Sequence, residues 1–211
     1  MYKQKICGKE ELDEKLSSSF NGEIMNIQKI KENSIIDKEI VYFKEIDSTH
    51  LYAKKILENK NETEKIIIAS MQTAGIGTKG RKWYTGFDNN IAMTIILKPN
   101  CKIAQLNNLT VDIAKKIQKA IKELYGYELT IKEPNDLMLN NKKICGILTE
   151  INTIGEKINY LLISIGFNVN EENFSEETKN LATSLKKEYN KNFSIEEIII
   201  KILENLKGIE F

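Results

Sequence analysis

The chain has 211 residues, 41% of them apolar, enough for one domain with a sizeable core. A formal charge of +1 with interspersed signs gives no global footprint for nucleic acid or an anionic membrane, and no apolar run nears the ~20 residues that cross a bilayer. The N-terminus lacks the apolar stretch of a signal peptide, the three cysteines (Cys7, Cys101, Cys145) are widely spaced and His50 is the sole histidine, which argues for a cytoplasmic protein with reduced thiols and against a zinc site.

Residues 1–38 are polar and weakly patterned, with a Ser17–Ser19 cluster and an Asn21-Gly22 turn signal, and read as a partly helical N-terminal extension to a domain spanning 39–211. Ile40–Phe43 then reads as a strand. Asp47-Ser48-Thr49 offers N-cap chemistry to a short helix carrying Leu51, Ala53, Ile56 and Leu57. Strands follow near 65–70 and 91–98, the second closed by Pro99. Leu106, Leu109, Ile113, Ile117, Ala120, Ile121 and Leu124 recur at three- and four-residue steps and predict a long helix, with Gly126 as its C-terminal cap. Glu128–Lys132, Asp136–Asn140, Lys143–Ile151 and Ile158–Ile165 read as strands, joined by hairpin turns at Asn140-Asn141 and Thr153–Glu156. A capping box at Ser194–Glu197 opens a last helix with Ile198, Ile199, Ile202, Leu203 and Leu206 on one stripe. This order predicts an α+β fold with a mixed or antiparallel central sheet and helices packed on one face.

Between the second and third strands lies Gln72-Thr-Ala-Gly-Ile-Gly-Thr-Lys-Gly-Arg-Lys-Trp83, which holds the chain's only arginine, Arg81, and only tryptophan. Gly75, Gly77 and Gly80 let the backbone adopt positive φ and approach a ligand closely, successive N–H groups can form an anion-binding concavity, and a planar guanidinium suits phosphate or carboxylate. The spacing is not a P-loop, because Arg81-Lys82 follows the glycines. It spells G-x-G-x-x-G, but the segment Trp83–Asn90 that follows contains turn formers instead of a Rossmann helix. A second constellation comes from Lys132-Glu-Pro-Asn-Asp136, whose Asn135 and Asp136 can meet Lys143 across the next hairpin.

Four motifs in this order resemble those of the biotin protein ligase catalytic domain, over residues of about 40–170. Asp47–Thr49 is similar to the family's Ser-Thr-Asn segment, Gln72–Trp83 to its G-R-G-R-x-G-R-x-W loop, Lys132–Asp136 with Lys143–Leu148 to its K-W-P-N-D segment and the strand beyond, and Ile165–Val169 to its G-I-N strand. The resemblance implies a class II aminoacyl-tRNA synthetase-like fold. It also implies a magnesium- and ATP-dependent ligase that makes biotinyl-5′-adenylate and passes biotin to a lysine of a biotin carboxyl carrier protein. By that resemblance Lys143, Arg81 and Asp136 are catalytic. Ser48, Thr49, His50, Gln72, Gly75, Ile76, Gly77, Thr78 and Lys143 would bind biotin, and Lys79, Arg81, Trp83, Asn135, Lys143 and Asn168 the nucleotide.

The chain also departs from that pattern. Ile76 and Thr78 stand where the family loop has arginines, His50 replaces an asparagine, and Glu133 replaces the tryptophan before Pro134. Too few residues precede the matching region for the winged helix of DNA-binding relatives, and none remain for a C-terminal β-barrel, so no DNA reading follows. Two other readings stay open: a weakly catalytic or non-catalytic binder of biotin or biotinyl-adenylate, and a lipoyl or octanoyl transferase. Homodimerisation through an exposed sheet edge is also left open.

Overall fold

The computed structural model describes residues 25–34, 38–59 and 63–207. The Ser17–Ser19 cluster, the Asn21-Gly22 turn and Cys7 lie outside them. One seven-stranded sheet carries the fold, in the order β1-β2-β3-β7-β6-β5-β4. Its strands are β1 (Glu39–Ile46), β2 (Lys65–Gln72), β3 (Asn90–Leu97), β4 (Thr130–Lys132), β5 (Asp136–Leu139), β6 (Lys142–Ile154) and β7 (Lys157–Asn168). Only β1 and β2 run parallel; every other neighbouring pair is antiparallel, so the sheet is mixed.

Strand alternation divides the side chains between two faces. Ile66 and Ile68 of β2, Ile91, Met93 and Ile95 of β3, and Leu161, Ile163, Ile165 and Phe167 of β7 point to one face and join the main core. That core is closed by helices α1 (Ile27–Asn33), α3 (Leu109–Tyr125), α4 (Leu185–Tyr189) and α5 (Ile195–Leu206), through Ile30, Ile113, Ile117, Ile121, Leu185, Ile198, Ile202 and Leu203. The segment before β1 is tied to α5 as well: Asn26 N–H donates to Glu196, and Lys29 pairs with Glu197.

The opposite face is covered differently. Helix α2 (Thr49–Leu57) packs there, with Ala53 against Ile67, Ile96 and Leu162. The expectation of helices on one face therefore describes α1, α3, α4 and α5 and not α2. A nine-residue helix is about 13 Å long, shorter than the twelve- and thirteen-residue strands beneath it. Part of that face stays outside its cover.

Local chemistry explains the boundaries. Ser48 caps α2 by accepting from Leu51 N–H, and Ser194 caps α5 by accepting from Glu197 N–H. The long helix begins at Leu109 and not at Leu106, because Asn108 takes a left-handed φ of 68° and Ile103–Leu106 is a separate 3₁₀ turn. It ends at Gly126, whose φ is 73°. Asn140 and Asn141 (φ 49° and 63°) make the β5–β6 turn, the geometry a two-residue hairpin favours. Ile117 is fully buried between α3 and its neighbours. Ile117→Ala is expected to cost about 2–5 kcal/mol, read as a lower urea midpoint; an unchanged midpoint would contradict the packing described.

Candidate active site

A pocket opens on the second face of the sheet, beyond the reach of α2. It encloses about 420 Å³ including its open mouth. Its floor is made of the alternate residues that strand periodicity turns away from the main core: Ala92 of β3, Ser164 and Gly166 of β7, and Gly146 and Leu148 of β6. Ser48, Thr49 and His50 enter from the start of α2, Gln72 from the end of β2, and Ile76, Gly77, Thr78 and Trp83 from the glycine loop. Asn135 and Lys143 complete the wall.

Lys143 reaches this wall through a break in alternation. Across the β5–β6 pair, Leu137 opposes Cys145 and Met138 opposes Lys143, so Ile144 is an extra, bulged residue. Ile144, Cys145 and Ile147 all sit in the main core. Without the bulge, Lys143 would share their side. With it, the ammonium lies 2.7 Å from Asp136 Oδ1 and 5.4 Å from the centre of the Trp83 ring.

Trp83 rests on the floor itself. A Cβ on Gly166 would fall 2.3 Å from Trp83 Cε2, and one on Gly146 would fall 3.0 Å from its Cζ3. Those two strand glycines are the space the indole occupies. The indole Nε1–H is buried and has no hydrogen-bond partner among the described residues.

The loop carrying Trp83 is folded by its own backbone. Trp83 N–H donates to Gly75 O at 2.8 Å and Gly77 N–H to Arg81 O at 2.7 Å. Of the three loop glycines Gly80 takes a positive φ (70°); Lys79 takes the other left-handed position (58°), and Gly77 is extended at −119°. Gly75 is required instead by close approach, since a Cβ there would meet Trp83 O at 2.4 Å. The Arg81 guanidinium is exposed and donates to Thr78 O and Thr78 Oγ1, at 3.3 and 3.0 Å.

Of the residues singled out from the sequence, Ser48, Thr49, His50, Gln72, Ile76, Gly77, Thr78, Trp83, Asn135 and Lys143 line the pocket. Asp136 is joined to it through Lys143. Gly75, Lys79, Arg81 and Asn168 do not line it. The Asn168 amide is buried and donates to Thr183 O at 3.0 Å.

A row of polar groups runs along the inner wall. Thr49 N–H donates to Gln72 Oε1 at 2.8 Å, and Thr49 Oγ1 lies 3.1 Å from the same oxygen. The row continues through Thr94 and Ser164 to His50 Nδ1, and His50 Nε2 lies 3.1 Å from Glu150 Oε2. Burial holds the His50 imidazole below its ordinary pKa, with Glu150 opposing. Burial pushes the Glu150 carboxyl up, but hydrogen bonds from Lys54 and His50 outweigh it and leave it below the usual range. Sequence reading missed Thr94, Glu150 and Ser164, and gave no role to Gly146 and Gly166, which lie inside two of the motifs. Their signal was small or polar residues on strand positions alternating with core residues.

If Gly166 exists to seat the indole, Gly166→Ala must displace it, at an overpacking cost of about 1–3 kcal/mol. Emission from the single tryptophan is then expected to move to longer wavelength. An unshifted spectrum would contradict the contact.

Comparisons with known proteins agree with this geometry. Residues 42–170 match the model of the biotin/lipoate A/B protein ligase family. The bifunctional ligase/repressor BirA of Bacillus subtilis is 32% identical over 156 residues, covering 73% of this chain and 48% of that protein. A biotin–[acetyl-CoA-carboxylase] ligase of Paracoccus denitrificans is 31% identical over 125 residues, 58% of this chain and 51% of its own length. The chain thus spans about half the length of these curated relatives. Among solved structures, biotin protein ligase from Aquifex aeolicus in complex with biotin and ATP superposes with a TM-score of 0.67 at 29% identity, covering 82% of this chain and 72% of that one. With its matched segment supplying the sheet, the glycine loop and the lysine of the pocket, the chain belongs to the biotin/lipoate A/B protein ligase family.

Proposed function

We propose that the protein is an ATP-dependent biotin ligase that forms biotinyl-5′-adenylate and transfers biotin to a lysine of a biotin carboxyl carrier protein in the cytoplasm. The observation that carries this reading is one pocket holding both a hydrogen-bonding wall at Thr49 and Gln72 and an ammonium, Lys143, beside the Trp83 indole. The first suits the cyclic urea of biotin, a neutral polar group that needs partners when buried. The second suits its carboxylate.

In the first step a biotin carboxylate oxygen attacks the α-phosphorus of ATP, forming the mixed anhydride as the bond to pyrophosphate breaks. Lys143 leaves Asp136 for the carboxylate and α-phosphate oxygens, where a compact cation follows the charge as it shifts. ATP would enter as its magnesium complex, the ion supplying charge neutralisation to the phosphates. Trp83 walls the nucleotide, and its orphaned Nε1–H, which costs about 1–3 kcal/mol while unpaired, gains a partner when a ligand arrives. Arg81 reaches phosphate only by giving up Thr78, so its contribution requires the loop to rearrange over bound ligand. In the second step the carrier lysine attacks the anhydride carbonyl, the amide forms, AMP leaves, and Asp136 takes the amine proton. Asn135 contacts the nucleotide from the wall.

Incubating the protein with biotin, Mg-ATP and a carrier domain, then weighing the carrier, tests the reading; a carrier of unchanged mass with no pyrophosphate released would overturn it. Removing the Lys143 ammonium (Lys143→Ala) is expected to slow pyrophosphate release by about 10²–10³-fold, the usual loss for one transition-state donor. Thr78→Arg restores a charge-assisted bond to the anhydride, worth about 1.5–3 kcal/mol, and is expected to slow biotinyl-adenylate dissociation by about ten- to a hundredfold. A dissociation rate untouched by that substitution would argue against the loop's role.

A further inference from the structure

The main chain of Lys143 is bonded at both of its polar groups to a segment outside the named strands. Its N–H donates to Leu181 O at 2.8 Å and its carbonyl accepts from Thr183 N–H at 2.9 Å, with Ala182 opposite it in a parallel bridge. Strand β5 occupies one side of β6 here, with Met138 opposite Lys143. The 181–183 segment takes the other side, which β7 leaves after Phe167 pairs with Cys145.

Thr183 is the hub of that segment. It is fully buried, and each of its polar groups is used: its N–H on Lys143, its carbonyl by Asn168 Nδ2 at 3.0 Å, and its hydroxyl as a donor to Glu188 Oε1. The other carboxylate oxygen of Glu188 accepts from the side-chain amide of Asn140, in the turn that leads into Lys142 and Lys143. One carboxylate therefore joins the chain just before Lys143 to the chain that pairs with it. The helix that carries it, α4, is anchored by Leu185 in the main core and by Lys186 N–H, which donates to Val169 O at 2.9 Å. Burial pushes the Glu188 carboxyl up, but the hydrogen bonds from Thr183 and Asn140, with the charges of Lys142 and Lys187, outweigh it and leave it below its ordinary value. An ionised carboxylate only accepts, which suits a site that faces two donors.

We propose that Glu188 is a positioning residue for the reaction: through Thr183 and Asn140 it fixes the Lys143 main chain from both sides, so that the side chain exchanges Asp136 for the ligand while its Cα stays in place. The role rests on the function proposed above, in which the Lys143 ammonium follows the carboxylate and α-phosphate. Glu188 and Thr183 do not line the pocket, so they act on the chemistry through Lys143 and not on the ligand. A reacting group held by a rigid surround keeps its rate, and a misplacement of about 1 Å from a distant change costs up to about a hundredfold.

Rates measured with and without the ammonium separate positioning from mere support of the fold. Glu188→Ala is expected to slow pyrophosphate release from biotin and Mg-ATP by about tenfold, part of the loss of about 10²–10³-fold from removing the ammonium. In Lys143→Ala protein the same substitution is expected to change the residual rate by less than about twofold, because no ammonium is left to misplace. Biotinamide lacks the carboxylate that Lys143 meets and reads only the Thr49–Gln72 wall, so it should bind Glu188→Ala as it binds the wild type. Asn140→Gly keeps the positive φ of an exposed turn and removes only the amide; it folds where a buried change would not, and should also slow the wild-type background alone. Thr183→Ser, which keeps the hydroxyl, should preserve the rate. Glu172→Ala, which removes the ion pair of Lys186 on the same helix, should leave it unchanged. Wild-type rates in both Glu188→Ala and Asn140→Gly, or losses that persist in full in the Lys143→Ala background, would overturn the proposal and leave the ligase reading standing. A folded wild-type protein that releases no pyrophosphate would overturn that reading, and this inference with it.

Discussion

A single extra residue, Ile144, decides which side of the sheet carries the cation. Strict alternation along β6 would place Lys143 with Cys145 and Ile147 in the main core, where an unpaired ammonium costs several kcal/mol to desolvate. The bulge turns it to the opposite face, in register with Met138 and near Asp136, where the ion pair forms at 2.7 Å. Gly146, turned away from the core by regular alternation between Cys145 and Ile147, lines the pocket beside it. Core packing and site geometry are thus linked: core contacts at Ile144, Cys145 and Ile147 hold the backbone in the bulged register that turns Lys143 to the pocket.

Around that cation the pocket is divided by chemistry. One part is small and apolar: the glycines at 146 and 166, on which the Trp83 ring lies. The other is a buried chain of hydroxyl, amide and imidazole groups, each within 3.1 Å of the next. A half-satisfied buried polar chain is costly, whereas a satisfied one rigidifies its surroundings and orients what binds. The short α2 serves both needs. It covers the sheet far enough to bury Ala53 against Ile67 and Ile96, and its first turn delivers Ser48, Thr49 and His50 to the pocket edge.

Much of this was legible in the sequence, for identifiable reasons. The 3.6-residue stripe from Leu109 to Leu124 and the Asn140-Asn141 turn are local signals that tertiary packing reinforced. The capping serines at 48 and 194 are equally local. The convergence of Asp136 and Lys143 followed from hairpin proximity, and ten of the residues singled out line one pocket. What was not legible depends on distant partners. The role of Gly166 appears only when Trp83, eighty-three positions away, lies against it. Glu150 and Ser164 read as ordinary strand residues until α2 brings His50 between them. The loop glycines signalled either positive φ or close approach, but not which applies where: Gly80 takes the first, Gly75 is set by steric closeness to Trp83, and Lys79 takes the other left-handed position. Arg81, the most conspicuous residue of the chain, is spent on Thr78 inside its own loop. Glu133 remains an exposed charge that nothing in the structure explains.

The central claim is that the bulge presents Lys143 to the carboxylate of a ligand whose polar head lies on the Thr49–Gln72 wall. A crystal structure grown with biotin tests it most directly. The account predicts ring density against Thr49 and Gln72, with the carboxylate within hydrogen-bonding distance of Lys143 Nζ, which has moved off Asp136. Density showing biotin elsewhere, or in the pocket while Lys143 stays on Asp136 and away from the carboxylate, would contradict it.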